Sequence, residues 1–198
     1  MAFSPLAIDE VAETVLACVC AALDDVAQEV DGHPGCPDCR RCVVPGIAAW
    51  DGCEDPCTGS TGGQLSVNVT RVYPSSTTSF PQQDQSVRDA RNCAPPPVTA
   101  VELVITVLRC APIPSEAGCP PSCEELRESA RVLHVDALTV YNALLCCLPH
   151  TAPSGRRGRR FVLGQQRTVG PQGGCVGIEQ TVTVALPPCL PCDPVEGP

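Results

Sequence analysis

The sequence contains no lysine: all 13 basic side chains are Arg, set against 22 acidic ones for a net charge of −9. Phosphate contacts need a concentrated positive face, so an acidic chain with scattered Arg argues against a protein that reads DNA sequence. Aromatic residues are scarce, with three Phe, one Trp and two Tyr. Apolar runs all stop well short of the ~18 residues a membrane-spanning helix requires, which excludes an integral helical membrane protein. Catalytic parts are missing as well. No glycine-rich phosphate loop opens a helix, and there is neither a nucleophile elbow nor a two-His zinc helix. Three His are present. His33 sits in a Gly/Pro loop, His150 just past a helix end, and His134 on a helix face that Asp136 does not share. His134 reads as a surface or interfacial residue, and the expectation is a protein that is not an enzyme.

Hydrophobic residues make up 43% of the 198, enough for one domain that buries roughly 70% of its unfolded surface. Their periodicity excludes full disorder. The odd feature is 16 cysteines, a density typical of small secreted disulfide scaffolds. Yet Met1 to Pro5 carries no positive charge, and Asp9, Glu10 and Glu13 fall where a secretion signal would be apolar. The expectation is folding in a cytoplasm, with thiols that are reduced, metal-bound, or oxidised after the protein leaves the cell.

Along the chain, Ser4 and Pro5 read as the cap and first turn of a helix whose apolar stripe runs Ile8, Val11, Val15, Val19, Ala22, Val26 and Val30. Gly32-His33-Pro34-Gly35 ends it. Residues 31–63 form a Cys-rich arm in which Val43 to Trp50 could be a short strand. Gln64 to Tyr73 alternates as a half-buried strand, and Val98 to Cys110 reads as a central one. Between them, 74–97 is a polar, proline-rich excursion, too long for a routine hairpin. Ser122-Cys123-Glu124-Glu125 is a capping box opening a second helix with Leu126, Ala130, Leu133, Ala137, Val140, Leu144 and Cys147 on one stripe, stopped by Pro149. The loop Arg156 to Arg160 leads into Phe161-Val162-Leu163, and the Gly170 to Gly174 turn returns the chain through alternating Val176 to Val184. Residues 187–198 hold five Pro and two Cys and form a C-terminal tail. The order predicts an α+β domain over 1–186: a mainly antiparallel sheet with two helices packed on one face and a Cys-rich loop arm.

Two chemistries compete for the thiols. Cys36-Pro-Asp-Cys39 and Cys53-Glu-Asp-Pro-Cys57 have the spacing of a four-thiolate zinc knuckle, so zinc is the candidate cofactor and these four its candidate ligands. Cys42, a fifth thiol in the same arm, has no place in such a site. Disulfides are the stronger alternative, with Cys53–Cys57, Cys119–Cys123 and Cys189–Cys192 as local pairs. The full pairing cannot be read from sequence.

Several segments in order carry a resemblance: Cys42-Val-Val-Pro-Gly46 with Ala49-Trp50-Asp51-Gly52-Cys53; Gly63-Gln64-Leu65 leading to Val72-Tyr73-Pro74; Leu108-Arg109-Cys110-Ala111-Pro112; and Phe161-Val162-Leu163-Gly164 with Gly170 to Gly177. Over about residues 4 to 186 the chain resembles tail terminator (neck) proteins of long-tailed phages that infect actinobacteria. The resemblance implies an α+β fold, a virion location after assembly in the host cytoplasm, and no catalysis. It also implies a hexameric ring that caps the tail tube protein, stops its polymerisation and meets a head-completion or stopper protein. Genomic DNA would pass the lumen without sequence-specific binding. The alternatives are a head-to-tail stopper or connector of the same neck and, from another class, a cytoplasmic zinc-binding adaptor built on the 36–57 arm. Assembly in a reducing cell followed by a working life outside it would reconcile 16 cysteines with the missing signal.

Overall fold

A computed structural model describes residues 6–37, 40–48, 53, 62–85, 98–114, 118–150 and 160–186. Two long helices, α1 (Ala7–Glu29) and α2 (Cys123–Cys147), accompany five strands: β1 (Arg41–Val44), β2 (Gln64–Ser75), β3 (Val98–Cys110), β4 (Phe161–Gln172) and β5 (Cys175–Leu186). The strands form one sheet in the order β1-β2-β3-β5-β4. Only the short β1 runs parallel to its neighbour, β2. The fold is α+β with both helices on one face, as the order of periodic segments predicts.

Register explains why that face is apolar. Leu65 and Val67 of β2 lie opposite Val107 and Ile105 of β3, which in turn face Ile178 and Gln180 of β5. Directly opposed residues share a face of a pleated sheet, so alternate positions of three strands build one hydrophobic surface. Val11, Val15, Val19 and Leu23 of α1 and Val140 and Leu144 of α2 close over it, each at most 1% exposed. Each such side chain contributes about 1.5–3 kcal/mol by leaving water.

The helix starts differ in how they are secured. Ser122 accepts a hydrogen bond from the Glu125 amide while the Glu125 carboxylate accepts one from the Ser122 amide, so α2 has the expected capping box. In α1 the position before the first helical residue is Leu6, with no side-chain cap. The expected cap, Ser4, and Pro5 lie outside the described residues. The β4–β5 turn is Gly173-Gly174, both at positive φ (54° and 71°), the backbone a tight two-residue hairpin requires. Residues 187–198 and the expected pair Cys189–Cys192 lie outside the described residues.

The loop after β2 is not a featureless excursion over its described part. Tyr73 Oη donates to the Pro81 carbonyl at 2.8 Å and Ser75 Oγ to the Gln82 carbonyl at 2.7 Å. Arg160, at the entry to β4, stacks on the Phe80 ring and donates to the Thr77 carbonyl. One end of the expected basic loop is therefore engaged with the 76–85 turn.

Candidate functional site

Beneath the helix layer lies a buried charged cluster. Arg109 belongs to the same face of β3 as Val101 to Val107, and Asp136 sits between Leu133 and Val140 on the inward stripe of α2. Two ionisable groups of opposite sign thus occupy core positions on facing elements. They pair bidentately: Arg109 Nε donates to Asp136 Oδ2 at 2.9 Å and Nη2 to Oδ1 at 2.7 Å. The third member is His33, from the turn after α1. Gly35 N–H donates to His33 Nδ1 at 3.2 Å, which leaves the proton on Nε2 to be donated to Asp136 Oδ1 at 3.1 Å. Desolvation by burial pulls the His33 pKa below its ordinary value; Asp136 opposes that shift, while Arg109 and Arg131 add to it.

The Asp136 side chain is fully buried and that of His33 1% exposed, so the pair is shielded from solvent. The arrangement is a clamp: one carboxylate holds the α1 turn, α2 and the end of β3 together. Arg109 Nη1 is buried without a hydrogen-bond partner. Arg109 also lines a cleft of about 540 Å³ with Glu125, Glu128 and Ser129. The loop around His33 does not by itself announce this cluster. The available signal was Arg109 and Asp136, each occupying a position that the apolar period assigns to the core. His134 is exposed, as expected, and lines an outer groove with Val26, Val30, Arg131 and Leu138.

The described cysteines do not follow the expected local pairing. Cys18 bridges to Cys147, tying α1 to the end of α2, with Cα atoms 6.3 Å apart. Cys20 bridges to Cys36 (Cα–Cα 5.1 Å) and Cys53 to Cys175 (Cα–Cα 5.5 Å). Of the four expected zinc ligands, Cys36 and Cys53 therefore take separate disulfide partners, and a disulfide sulfur is not a thiolate donor. Cys39 and Cys57 lie outside the described residues. The pair Cys53–Cys57 is replaced by Cys53–Cys175, and Cys123 is an exposed thiol, so it is not joined to Cys119. Cys42 and Cys146 are exposed thiols too. The expected strand in the arm is present but begins earlier and is shorter, at Arg41–Val44.

Two surfaces stand open. β4 forms one edge of the sheet over 12 residues, and no strand among the described residues pairs with its outer side. On α2, Leu138, Tyr141 and Leu145 follow one another at spacings of three and four and are 63%, 43% and 42% exposed. The helix thus carries a second, exposed apolar stripe.

Taken together, the fold defines an α+β domain tied by disulfides and clamped by a buried ion cluster, with an open sheet edge and an exposed helical stripe. No protein-family model matches the sequence, and a search of curated proteins returns no match.

Proposed function

We propose that the chain is a structural virion protein of a phage neck. It is a tail terminator that assembles as a homo-hexameric ring on the tail tube, stops its polymerisation, and joins the tail to the head-completion protein. What carries this reading, beside the sequence resemblance, is a heavily tied core combined with two unlike sheet edges. A ring needs a heterologous contact, in which one surface of a copy meets a different surface of the next. The 12-residue β4 edge at one end of the sheet and the four-residue β1 edge at the other are such a pair of unlike surfaces. An uncovered edge of this length invites strand addition, and ring closure would satisfy it without open-ended aggregation. The Leu138–Tyr141–Leu145 stripe offers a separate apolar surface for the tube or the head-completion protein. No enzymatic activity is part of this reading. An acidic chain suits a lumen through which DNA slides.

The test has two parts. Electron microscopy of the purified protein should show six-fold rings with a central opening. Deletion of the gene from its phage should give overlong tails without heads. Monomers in solution together with tails of normal length would reject the reading. A ring that stays with heads instead of tails would move the protein to the stopper side of the same neck.

A further inference from the structure

We propose that Cys20, Asp24 and Cys36 form a zinc site in the reduced chain, and that oxidation of the two thiolates to the Cys20–Cys36 disulfide expels the ion. This proposal is independent of the neck reading.

Cys20 and Asp24 are four residues apart on α1 and so lie one above the other on one face. The turn after the helix, with Gly35 at φ +75°, brings Cys36 back to them. Asp24 Oδ1 accepts the Cys36 amide at 2.9 Å, which fixes the carboxylate, while Oδ2 lies 3.9 Å from Cys20 Sγ. One ligand atom from each residue falls within 4.8 Å of the others, and among the described residues no other group of His, Cys, Asp and Glu does so. Tetrahedral zinc with sulfur at ~2.3 Å and oxygen at ~2.1 Å places its ligands roughly 3.5 Å apart. Once the disulfide is reduced, separation of the two sulfurs within the same turn creates that spacing.

Charge also fits. Two thiolates and a carboxylate carry three negative charges, and Zn²⁺ neutralises two. Arg41, whose Nη1 lies 3.0 Å from Cys20 Sγ, supplies the last positive charge and a hydrogen bond to the sulfur, in the way that outer-shell donors support metal-bound ligands. A small cavity of about 270 Å³ lined by Glu13, Ala17, Cys20, Asp24 and Arg41 gives the ion a path and leaves room for water at a fourth position. Among the described residues, no carboxylate or imidazole lies at such range of the other two described bridges.

The switching step balances with a small-molecule disulfide as oxidant. One thiolate attacks it, forming a mixed disulfide and releasing one small thiolate. The second thiolate then displaces the other, so two small thiolates and Zn²⁺ leave as the Cys20–Cys36 bond forms.

The experiment uses the full chain, purified anaerobically in reductant, equilibrated with Zn²⁺ and desalted. Metal is counted by mass spectrometry and the ligand set is read from the thiolate charge-transfer absorption of the Co²⁺ form. About one metal per chain is expected for the wild type and for Cys42→Ser, and less than about a tenth for Cys20→Ser and Cys36→Ser. Circular dichroism tells loss of a ligand from loss of fold; a reduced chain that folds only with zinc also supports the site. Oxidised glutathione should release the zinc as the Cys20–Cys36 peptide pair appears in a digest. No stoichiometric metal on the reduced wild type, or full occupancy surviving Cys20→Ser, overturns the proposal.

Discussion

Replacing Asp136 by Ala is expected to be among the most damaging single changes available to this domain. The carboxylate is fully buried and accepts two hydrogen bonds from Arg109 and one from His33. Without it, Arg109, whose side chain is only 6% exposed, keeps its charge without its carboxylate partner, and its Nη1 already has no partner. Removing one member of a buried ion pair costs about 3–5 kcal/mol, because the remaining charge stays desolvated. For a chain of this size, each kcal/mol lowers the melting temperature by about 2–4 °C, so a drop of about 6–20 °C follows. The double change Arg109→Met with Asp136→Leu removes both charges and keeps much of the volume; it should recover most of that loss. The assay is thermal and urea unfolding of both variants with disulfides intact. If Asp136→Ala costs less than about 1 kcal/mol, or if the double variant is worse than the single one, the clamp is not what holds α2 to β3.

Four further outcomes are expected. His33 is held neutral in the fold, with its pKa lowered by burial, so the unfolded chain binds the proton more readily. Its contribution is complete above the unfolded pKa of about 6.5 and is lost as pH falls below it; urea titrations from pH 7 to 5 should slope less in His33→Gln. Ser122→Ala removes the α2 cap and should cost about 1 kcal/mol by denaturant unfolding. Gly177→Ala sets a methyl against the Val107 carbonyl oxygen, where β3 and β5 approach closely, and should cost at least about 1–3 kcal/mol and lower the yield of folded protein. Cys18→Ala with Cys147→Ala opens a link between residues 129 apart, which on the chain-entropy account lowers stability by up to about 5 kcal/mol, measured against the wild type without reductant.

Local signals carried the sequence reading far. The limits of β3, Val98–Cys110, are those its apolar run predicts, and the capping box places the start of α2 at Cys123. Both depend on residues close in sequence, where propensity and hydrogen bonding act directly. The first helix shows the weakness of the same logic, since Ser4-Pro5 is a good start signal but the helix begins at Ala7. Cysteine pairing was the least legible feature. Spacing favoured Cys53 with Cys57, yet the Cys53 partner is Cys175, at the start of the last strand. Which thiols meet is decided by how the sheet is ordered, and short spacings carry no information about that. The role of His33 is hidden for the same reason: Asp136, its partner, is 103 residues away on α2 and Arg109, which shares that carboxylate, is 76 away on β3, and only the oddity of Arg109 and Asp136 on apolar faces announces them.

The two long-range bridges overlap in the sequence: Cys18–Cys147 and Cys53–Cys175 share the stretch from 53 to 147. Every peptide bond between Cys18 and Cys175 therefore lies inside at least one covalent ring. A protease that cuts the oxidised chain once anywhere in that span makes a nicked molecule, not two fragments, and the sheet can keep its pieces in register. Continuity of the backbone and integrity of the folded domain become separate properties.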